Sequence, residues 1–203
     1  MTGTLYIVSA PSGAGKTSLV KTLLARHKHL RVSVSHTTRQ PRANEINGIH
    51  YHFTTKTEFE TQITQNAFLE HAEVFGNYYG TSTQWVESTL KQDVDVILEI
   101  DWQGAQQVRA SQRNATSIFI LPPSLSTLKE RLIRRGQDSP TVIQKRVQEA
   151  QLEMSHFQEY DYIVVNDQFE EAAKDLTSII TSERLRVHAQ KRRLGSLLDD
   201  LLK

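Results

Sequence analysis

Eight consecutive residues, Ala10-Pro11-Ser12-Gly13-Ala14-Gly15-Lys16-Thr17, place two glycines, a lysine and a hydroxyl in an order suited to a polyphosphate. Gly13 and Gly15 let the backbone curl until successive N–H groups face one anion, where a Cβ would obstruct the turn or the approach. Lys16 adds a mobile cation for β- and γ-phosphates, and the Thr17 hydroxyl stands where a Mg²⁺ ligand is needed. Such a pattern usually opens on glycine. Ala10 takes that place, and a small residue at a strand exit serves the same end.

The flanking residues supply the elements that this turn requires. Leu5-Tyr6-Ile7-Val8 is an apolar run that reads as a strand, and Ser18 to Leu24 has helical spacing. A helix N-terminus offers unpaired N–H groups and the positive end of a dipole to an anion. Further strands are expected at Leu30–Ser35, Val94–Asp101, Thr116–Leu121 and Tyr162–Asp167, alternating with helical stretches, which predicts an α/β fold with a parallel sheet. Glu99, Asp101, Asn166 and Asp167 then fall at the carboxyl ends of strands, the edge on which open α/β sheets bind ligands. Asp101 is read either as a neighbour of Mg²⁺, directly or through water, or as a cap for the helix starting near Trp102.

Between the second strand and Trp85 the chain changes character. Ser35-His36-Thr37-Thr38-Arg39-Gln40-Pro41-Arg42 is too rich in donors for a core, and Arg39 and Arg42 carry the planar fork suited to phosphate. Gly48–Phe53 alternates like a short strand, Thr57–Gln65 like a helix, and Phe68–Phe75 with Gly76–Thr81 like a hairpin turning at Gly76-Asn77. This β-rich stretch, dense in tyrosines (Tyr51, Tyr78, Tyr79), is expected to form a small separate lobe.

Pro122-Pro123 stops the third long strand, and Ser124 is placed to cap a helix from Ser126 to Arg135 that Gly136 ends. Arg131 and Arg135 share a face of it. A second helix carries Lys145 and Arg146, so the unit reads as a lid bringing cations to a transferring phosphate. A helix over Phe169–Val187 follows, and a final leucine stripe (Leu194, Leu197, Leu198, Leu201, Leu202) is expected to pack on the body, or else against another subunit. The histidines, including His50 and His52, show no metal-ligand spacing.

With 24 Lys and Arg against 23 Asp and Glu, the formal charge of +1 gives no global field for nucleic acid or membranes. The absence of cysteine excludes disulfides, thiolate metal sites and a cysteine nucleophile. No apolar run approaches membrane length and no leader pattern precedes the first strand, so a cytoplasmic protein is expected. The oligomeric state is open.

Taken together, Ala10-Pro11-Ser12-Gly13-x-Gly15-Lys16-Thr17, Ser35-x-Thr37-Thr38-Arg39-x-Pro41-Arg42, Gly48-x-x-Tyr51-x-Phe53, Glu70 with Gly76-Asn77-Tyr78-Tyr79-Gly80-Thr81, and Asp101-x-Gln103-Gly104 resemble guanylate kinase of the bacterial type. The resemblance runs over almost the whole chain in the same order, and its second and fourth stretches are specific beyond phosphate-loop proteins in general. It implies a P-loop kinase in three parts: a core with a five-stranded parallel sheet (1–35, 86–124 and 151–203), a β-rich GMP-binding lobe (36–85) and a helical lid (125–150). It also implies Mg²⁺-dependent transfer of the ATP γ-phosphate to GMP, giving ADP and GDP, in purine nucleotide metabolism.

Carried over position by position, Ala10, Pro11, Ser12, Gly13, Ala14, Gly15, Lys16, Thr17 and Asn166 would bind ATP. Ser35, Arg39, Arg42, Tyr51 and Tyr79 would hold the GMP phosphate, while Glu70 and Thr81 would read guanine with Asp101 nearby. Lys16, Arg39, Arg42, Arg131, Arg135 and Arg146 would neutralise the charge in transfer, and Thr17 would hold Mg²⁺, with Asp101 through water. Arg131 or Asn166 is also a candidate for contact with the ATP adenine. Three rival readings fit the sequence less well. A kinase for another monophosphate fits poorly with Glu70 and Thr81, and a GTPase would need an Asn-Lys-x-Asp stretch that is absent. A catalytically inactive guanylate-kinase-like binding module would be expected to lose Lys16, Thr17 and the lid arginines, all present here.

Overall fold

In the computed structural model, which describes residues 3–74, 76–111, 114–134 and 139–203, the elements follow in order. They are β1 (Leu5–Ser9), α1 (Lys16–Arg26), β2 (Leu30–Val32), β3 (His36–Thr37), β4 (His52–Phe53), α2 (Lys56–Thr64), β5 (Phe68–Val74), β6 (Asn77–Ser82), α3 (Thr83–Lys91) and β7 (Asp95–Glu99). The second half has α4 (Trp102–Ser111), β8 (Thr116–Leu121), α5 (Leu125–Arg134), α6 (Pro140–Ser155), β9 (Tyr162–Val165), α7 (Phe169–Leu185), α8 (Val187–Arg193) and α9 (Gly195–Leu201).

β1 is buried over its whole length because it lies at the centre of a five-stranded parallel sheet of order β2-β7-β1-β8-β9. Its side chains alternate between two apolar layers. Tyr6 and Val8 join Leu19, Leu23, Leu176 and Ile180 from α1 and α7. Leu5 and Ile7 join Val86, Leu90 and Val108 from α3 and α4. Burial on both faces explains why these strands read as continuous apolar runs. The central position of β1 brings the turn after Ser9 to the middle of the sheet's carboxyl edge.

A second, four-stranded sheet of order β4-β3-β6-β5 forms the lobe between β2 and α3. Its β5–β6 hairpin sets Glu70 opposite Thr81. α2 covers the lobe through Phe59, which is fully buried and stacks on Phe68 and Tyr78 at centroid distances of 4.5 and 5.4 Å. A reciprocal cap, Thr55 with Glu58, starts that helix.

Several expectations are corrected. The second core strand ends at Val32 rather than Ser35, because the chain there leaves one sheet for the other: Ser33 N–H still donates to Ile97, but the Ser35 carbonyl accepts from His52. Gly48–Phe53 is not one strand. Gly48, at φ +79, donates its N–H to Tyr51 O at 2.8 Å in a turn, leaving His52–Phe53 as strand. The long C-terminal helix stops at Leu185, where Arg186 is extended. Most of the leucine stripe is not packed on the body: Leu197 and Leu201 on α9 and Leu194 and Leu202 at its ends are exposed, Leu198 is half-buried, and buried Ala189 anchors the preceding α8.

At the amino edge of the main sheet, fully buried Asp95 closes the fold. Its Oδ1 accepts from Thr4 N–H at 2.8 Å and from Arg193 Nη2 at 3.1 Å, and its Oδ2 is paired with Arg184. One carboxylate thus joins β1, β7, α7 and α8. Removing one partner of a buried charge set is costly because the others stay desolvated. Asp95→Ala is expected to lower the unfolding free energy by about 3 kcal/mol, read from urea denaturation. A loss below about 1 kcal/mol would match an exposed ion pair and contradict this role.

Candidate active site

The loop after β1 adopts the conformation its glycines permit, with φ of +96 at Gly13 and +94 at Gly15. Ala14 N–H closes a turn onto Pro11 O at 3.1 Å, while the Ala14 carbonyl is turned into the protein. It accepts Asn166 Nδ2 at 2.7 Å and Arg131 Nη1 at 3.5 Å, and Arg131 Nη2 donates to the Asn166 carbonyl at 3.0 Å. A Cβ on Gly15 would collide with the Asn166 amide, and one on Gly13 would lie 3.0 Å from Leu128 of α5. The N–H groups of Gly15, Lys16 and Thr17 find no acceptor among the described residues, the arrangement expected of an anion cradle at the start of α1. Asn166 and Arg131 thus lie beneath the loop as its supports.

Across the cleft, Glu70 and Thr81 are buried at 3% and 0% exposure, too low for incidental surface groups. Burial raises the Glu70 carboxyl to about 7. Thr81 opposes the shift, nearby Asp101 adds to it, and Lys16 also lowers it. Thr81 lies close enough to hold that pKa down, yet its Oγ1 forms no well-aligned hydrogen bond among the described residues. A buried carboxyl and an orphan hydroxyl side by side call for a ligand with matching donors and acceptors.

Two residues of α4 that the sequence reading left without a role create this niche. Gly104 lies against Glu70 Oε2 so closely that any Cβ would strike it. Gln107, one turn on, pairs with the backbone of His71 in both directions, its Nε2 donating to the carbonyl at 2.7 Å and its Oε1 accepting from the N–H at 3.1 Å. Asp101 caps the same helix, accepting from Gly104 N–H and Gln103 Nε2 at 3.0 Å each. The spacing Asp101, Gly104, Gln107 is the helical signal that could have revealed one face turned towards β5.

The lobe also gathers Arg39, Tyr51 and Tyr79. Arg39 Nη2 meets both Glu45 oxygens at 2.8 and 2.9 Å, its guanidinium lies 5.3 Å from the Tyr51 ring centroid, and the Tyr79 hydroxyl faces it. Bonding to Glu45 raises the Arg39 pKa further. Glu45, which also accepts from Arg42 N–H at 2.8 Å, is a third residue to which the sequence assigns no role. The Arg42 side chain is exposed; Ser35 is half-buried beside β4.

Of the lid arginines, Arg146 is half-buried on α6, and Arg135 lies outside the described residues. A hollow of about 790 Å³ sits at the opposite, amino edge of the sheet, lined by Thr4, Thr116, Glu183 and Arg192 among others, and includes no residue of the phosphate loop. The phosphate loop and Glu70 lie instead towards the carboxyl edge, with Lys16 near the Glu70 carboxyl.

The donors near Thr17 fit a hydrated Mg²⁺. Thr17 is exposed at the first turn of α1 with an uncommitted hydroxyl, and no cluster of three metal-ligating side chains occurs among the described residues. Mg²⁺ keeps several waters and is held by few protein oxygens plus substrate phosphates, so a dedicated cage is not required.

The comparisons with known proteins agree with this geometry. A family model described as guanylate kinase matches residues 2–183. Curated guanylate kinases of Hahella chejuensis and Escherichia coli K12 are 59% and 58% identical over 200 and 202 residues, in both cases 98% of this chain, and 96% and 98% of theirs. The crystal structure of guanylate kinase from Anaplasma phagocytophilum superposes with a TM-score of 0.77 at 34% identity, covering 91% of this chain and 88% of that one. A phosphate loop, a carboxylate-lined niche facing it, and relatives matched along nearly the full length place this chain in the guanylate kinase family.

Proposed function

We propose that this chain transfers the γ-phosphoryl group of ATP to GMP, releasing ADP and GDP. The observation that carries the reading is the buried Glu70–Thr81 pair held across the cleft from the phosphate loop, with Lys16 near enough to act on the Glu70 carboxyl. Guanine offers N1–H and N2–H₂ on one edge, which a carboxylate accepts together, and its O6 suits the Thr81 hydroxyl. Adenine would set its N1 acceptor against that carboxylate, a mismatch that is costly when buried.

The acceptor phosphate is already an oxyanion, so no strong general base is needed. The work is alignment and neutralisation of crowded negative charge. Gly15, Lys16 and Thr17 N–H groups cradle the ATP phosphates, and Lys16 stands beside them as a cation. Arg39, preoriented by Glu45, takes the GMP phosphate with Tyr51, Tyr79, Ser35 and Arg42. Arg135 and Arg146 complete the positive wall as the 125–150 lid and the 36–85 lobe close on the core, while Arg131 adds its charge from beneath the loop, where it holds the Ala14 and Asn166 carbonyls. Thr17 would hold Mg²⁺, with Asp101 reaching it through water; the ion would supply charge neutralisation on the transferring phosphates. With these substrates we infer a role in purine nucleotide metabolism, and a cytoplasmic location is compatible with it. Retention of Lys16, Thr17 and the supported loop disfavours an inactive binding module.

A coupled ADP-release assay with ATP and Mg²⁺ is expected to give turnover with GMP and essentially none with AMP, UMP or CMP. No turnover with any acceptor, from protein that binds ATP, would favour the binding module. Lys16→Ala is expected to cut kcat/KM by roughly 10³-fold or more without lowering Tm; near wild-type turnover would overturn its role.

The Glu70 carboxyl, held up to about 7 by burial, must be the anion to accept two guanine donors. Guanosine, which has no phosphate of its own to titrate, is therefore expected to bind more tightly as pH rises from 6 to 8, expelling one proton. An affinity flat across that range would contradict the assignment. In the empty protein the same raised pKa stabilises fully below about pH 4.5 and loses its contribution as pH rises through 7.

A further inference from the structure

β5 is the outer strand of the lobe sheet, so the N–H and carbonyl groups on its free side have no neighbouring strand to pair with. At His71 a side chain takes them: Gln107 Nε2 donates to the His71 carbonyl at 2.7 Å, and Gln107 Oε1 accepts from its N–H at 3.1 Å. One residue earlier stands Glu70, opposite Thr81. One before that, the register of the β5–β6 hairpin slips and leaves Leu69 without a partner in β6. Such a bulge bends its strand and re-aims the side chains beside it.

Three consecutive residues of β5 are thus each met by α4. Leu69 packs on the apolar layer that contains Ala105 and Val108, the Glu70 carboxyl lies against Gly104 where no Cβ fits, and the His71 backbone is held by Gln107. The contacts at Leu69 and Glu70 are non-directional packing and leave the strand free to slide and turn against the helix. The paired hydrogen bonds at His71 are directional, so they fix both its height and its rotation. A primary amide carries a donor and an acceptor at one tip, which is what copying the pairing of a strand demands.

We propose that Gln107 is a positioning residue for base selection: by clamping the His71 peptide it sets the Glu70 carboxylate at the angle that accepts both N1–H and N2–H₂ of guanine, a role that rests on Glu70 reading that edge. Two parallel bonds to one planar base tolerate little rotation of the carboxylate, because a hydrogen bond weakens steeply as its angle closes. A strand released at His71 keeps its hairpin partner and its bulge but loses that aim. One oxygen still meets N1–H, while N2–H₂ goes unmet. The signature is therefore a loss of discrimination at the 2-amino group of the base. Gln107 acts on the guanine only through Glu70, and the phosphate loop is supported from elsewhere, by Asn166 and Arg131, so ATP binds as before.

The test is calorimetric titration with GMP, with IMP, which lacks only the 2-amino group, with AMP, and with ATP and Mg²⁺. It compares the parent protein with Gln107→Ala and with Gln107→Met, the second keeping the length of the side chain without its polar atoms. The parent is expected to bind GMP about tenfold more tightly than IMP, the worth of one charge-assisted hydrogen bond. In both variants that ratio is expected to fall to about threefold or less, with GMP affinity down about tenfold and ATP affinity within about twofold of the parent. A folded variant that keeps the parental ratio would overturn the proposal, since Gln107 would then have no influence on the aim of Glu70. So would GMP, IMP and ATP weakening together, which would make Gln107 a general support of the fold. Should Gln107→Ala fail to fold, Gln107→Met decides alone. Parent protein that binds GMP no better than IMP would contradict the proposal by itself, and one with no preference over AMP would sink the kinase reading as well.

Discussion

The inward-turned carbonyl of Ala14 is the constraint on which the nucleotide site depends. A loop can offer several N–H groups to one anion only if its carbonyls point away, and a carbonyl pointing into protein must find donors. Here they come from distant parts of the chain, the Asn166 amide after β9 and the Arg131 guanidinium on α5. The glycine at position 15 is required twice, for its left-handed backbone and because the Asn166 amide fills the space a side chain would use. The parallel sheet explains why this is possible: β1 and β9 run the same way, so the residues that follow them meet at one edge.

A similar economy builds the other half of the cleft. The Glu70 carboxyl is buried because α4 passes over β5 with a glycine at the crossing, and the helix is held in place by Gln107 pairing with the His71 backbone as a neighbouring strand would. Burial makes the carboxyl expensive to ionise and its anion correspondingly selective for a ligand that brings two donors. The stacked Phe59, Phe68 and Tyr78 give the lobe its own apolar centre, so it can present Arg39, Tyr51 and Tyr79 on a defined surface.

Much of this was legible in the residues. The phosphate loop has a local signature, since glycine freedom, lysine and hydroxyl act within eight positions, and the buried strands announce themselves as unbroken apolar runs. The hairpin that opposes Glu70 and Thr81 was readable from Gly76-Asn77. What stayed hidden depends on contacts across long separations. Nothing near Asn166 in sequence tells that its amide will meet Ala14, 152 residues away, and Glu45 reads as an ordinary exposed acid until the chain folds it onto Arg39. Residues 33–35 and 48–51 alternate without forming strand, because alternation is also produced where a chain crosses between sheets or turns at a positive-φ glycine. The leucine stripe around α9 has helical spacing, yet Leu194, Leu197, Leu201 and Leu202 stay exposed among the described residues.

The central claim is that the loop is held ready for phosphate by the buried Asn166 amide before any nucleotide arrives. Calorimetric titration of ATP with Mg²⁺ against Asn166→Ala tests it most directly, with GMP titrated in parallel. Loss of a buried donor to a carbonyl predicts ATP affinity reduced about tenfold or more, with GMP affinity unaltered. Parental ATP affinity in the folded variant would show that the loop keeps its shape without that support and would contradict the account.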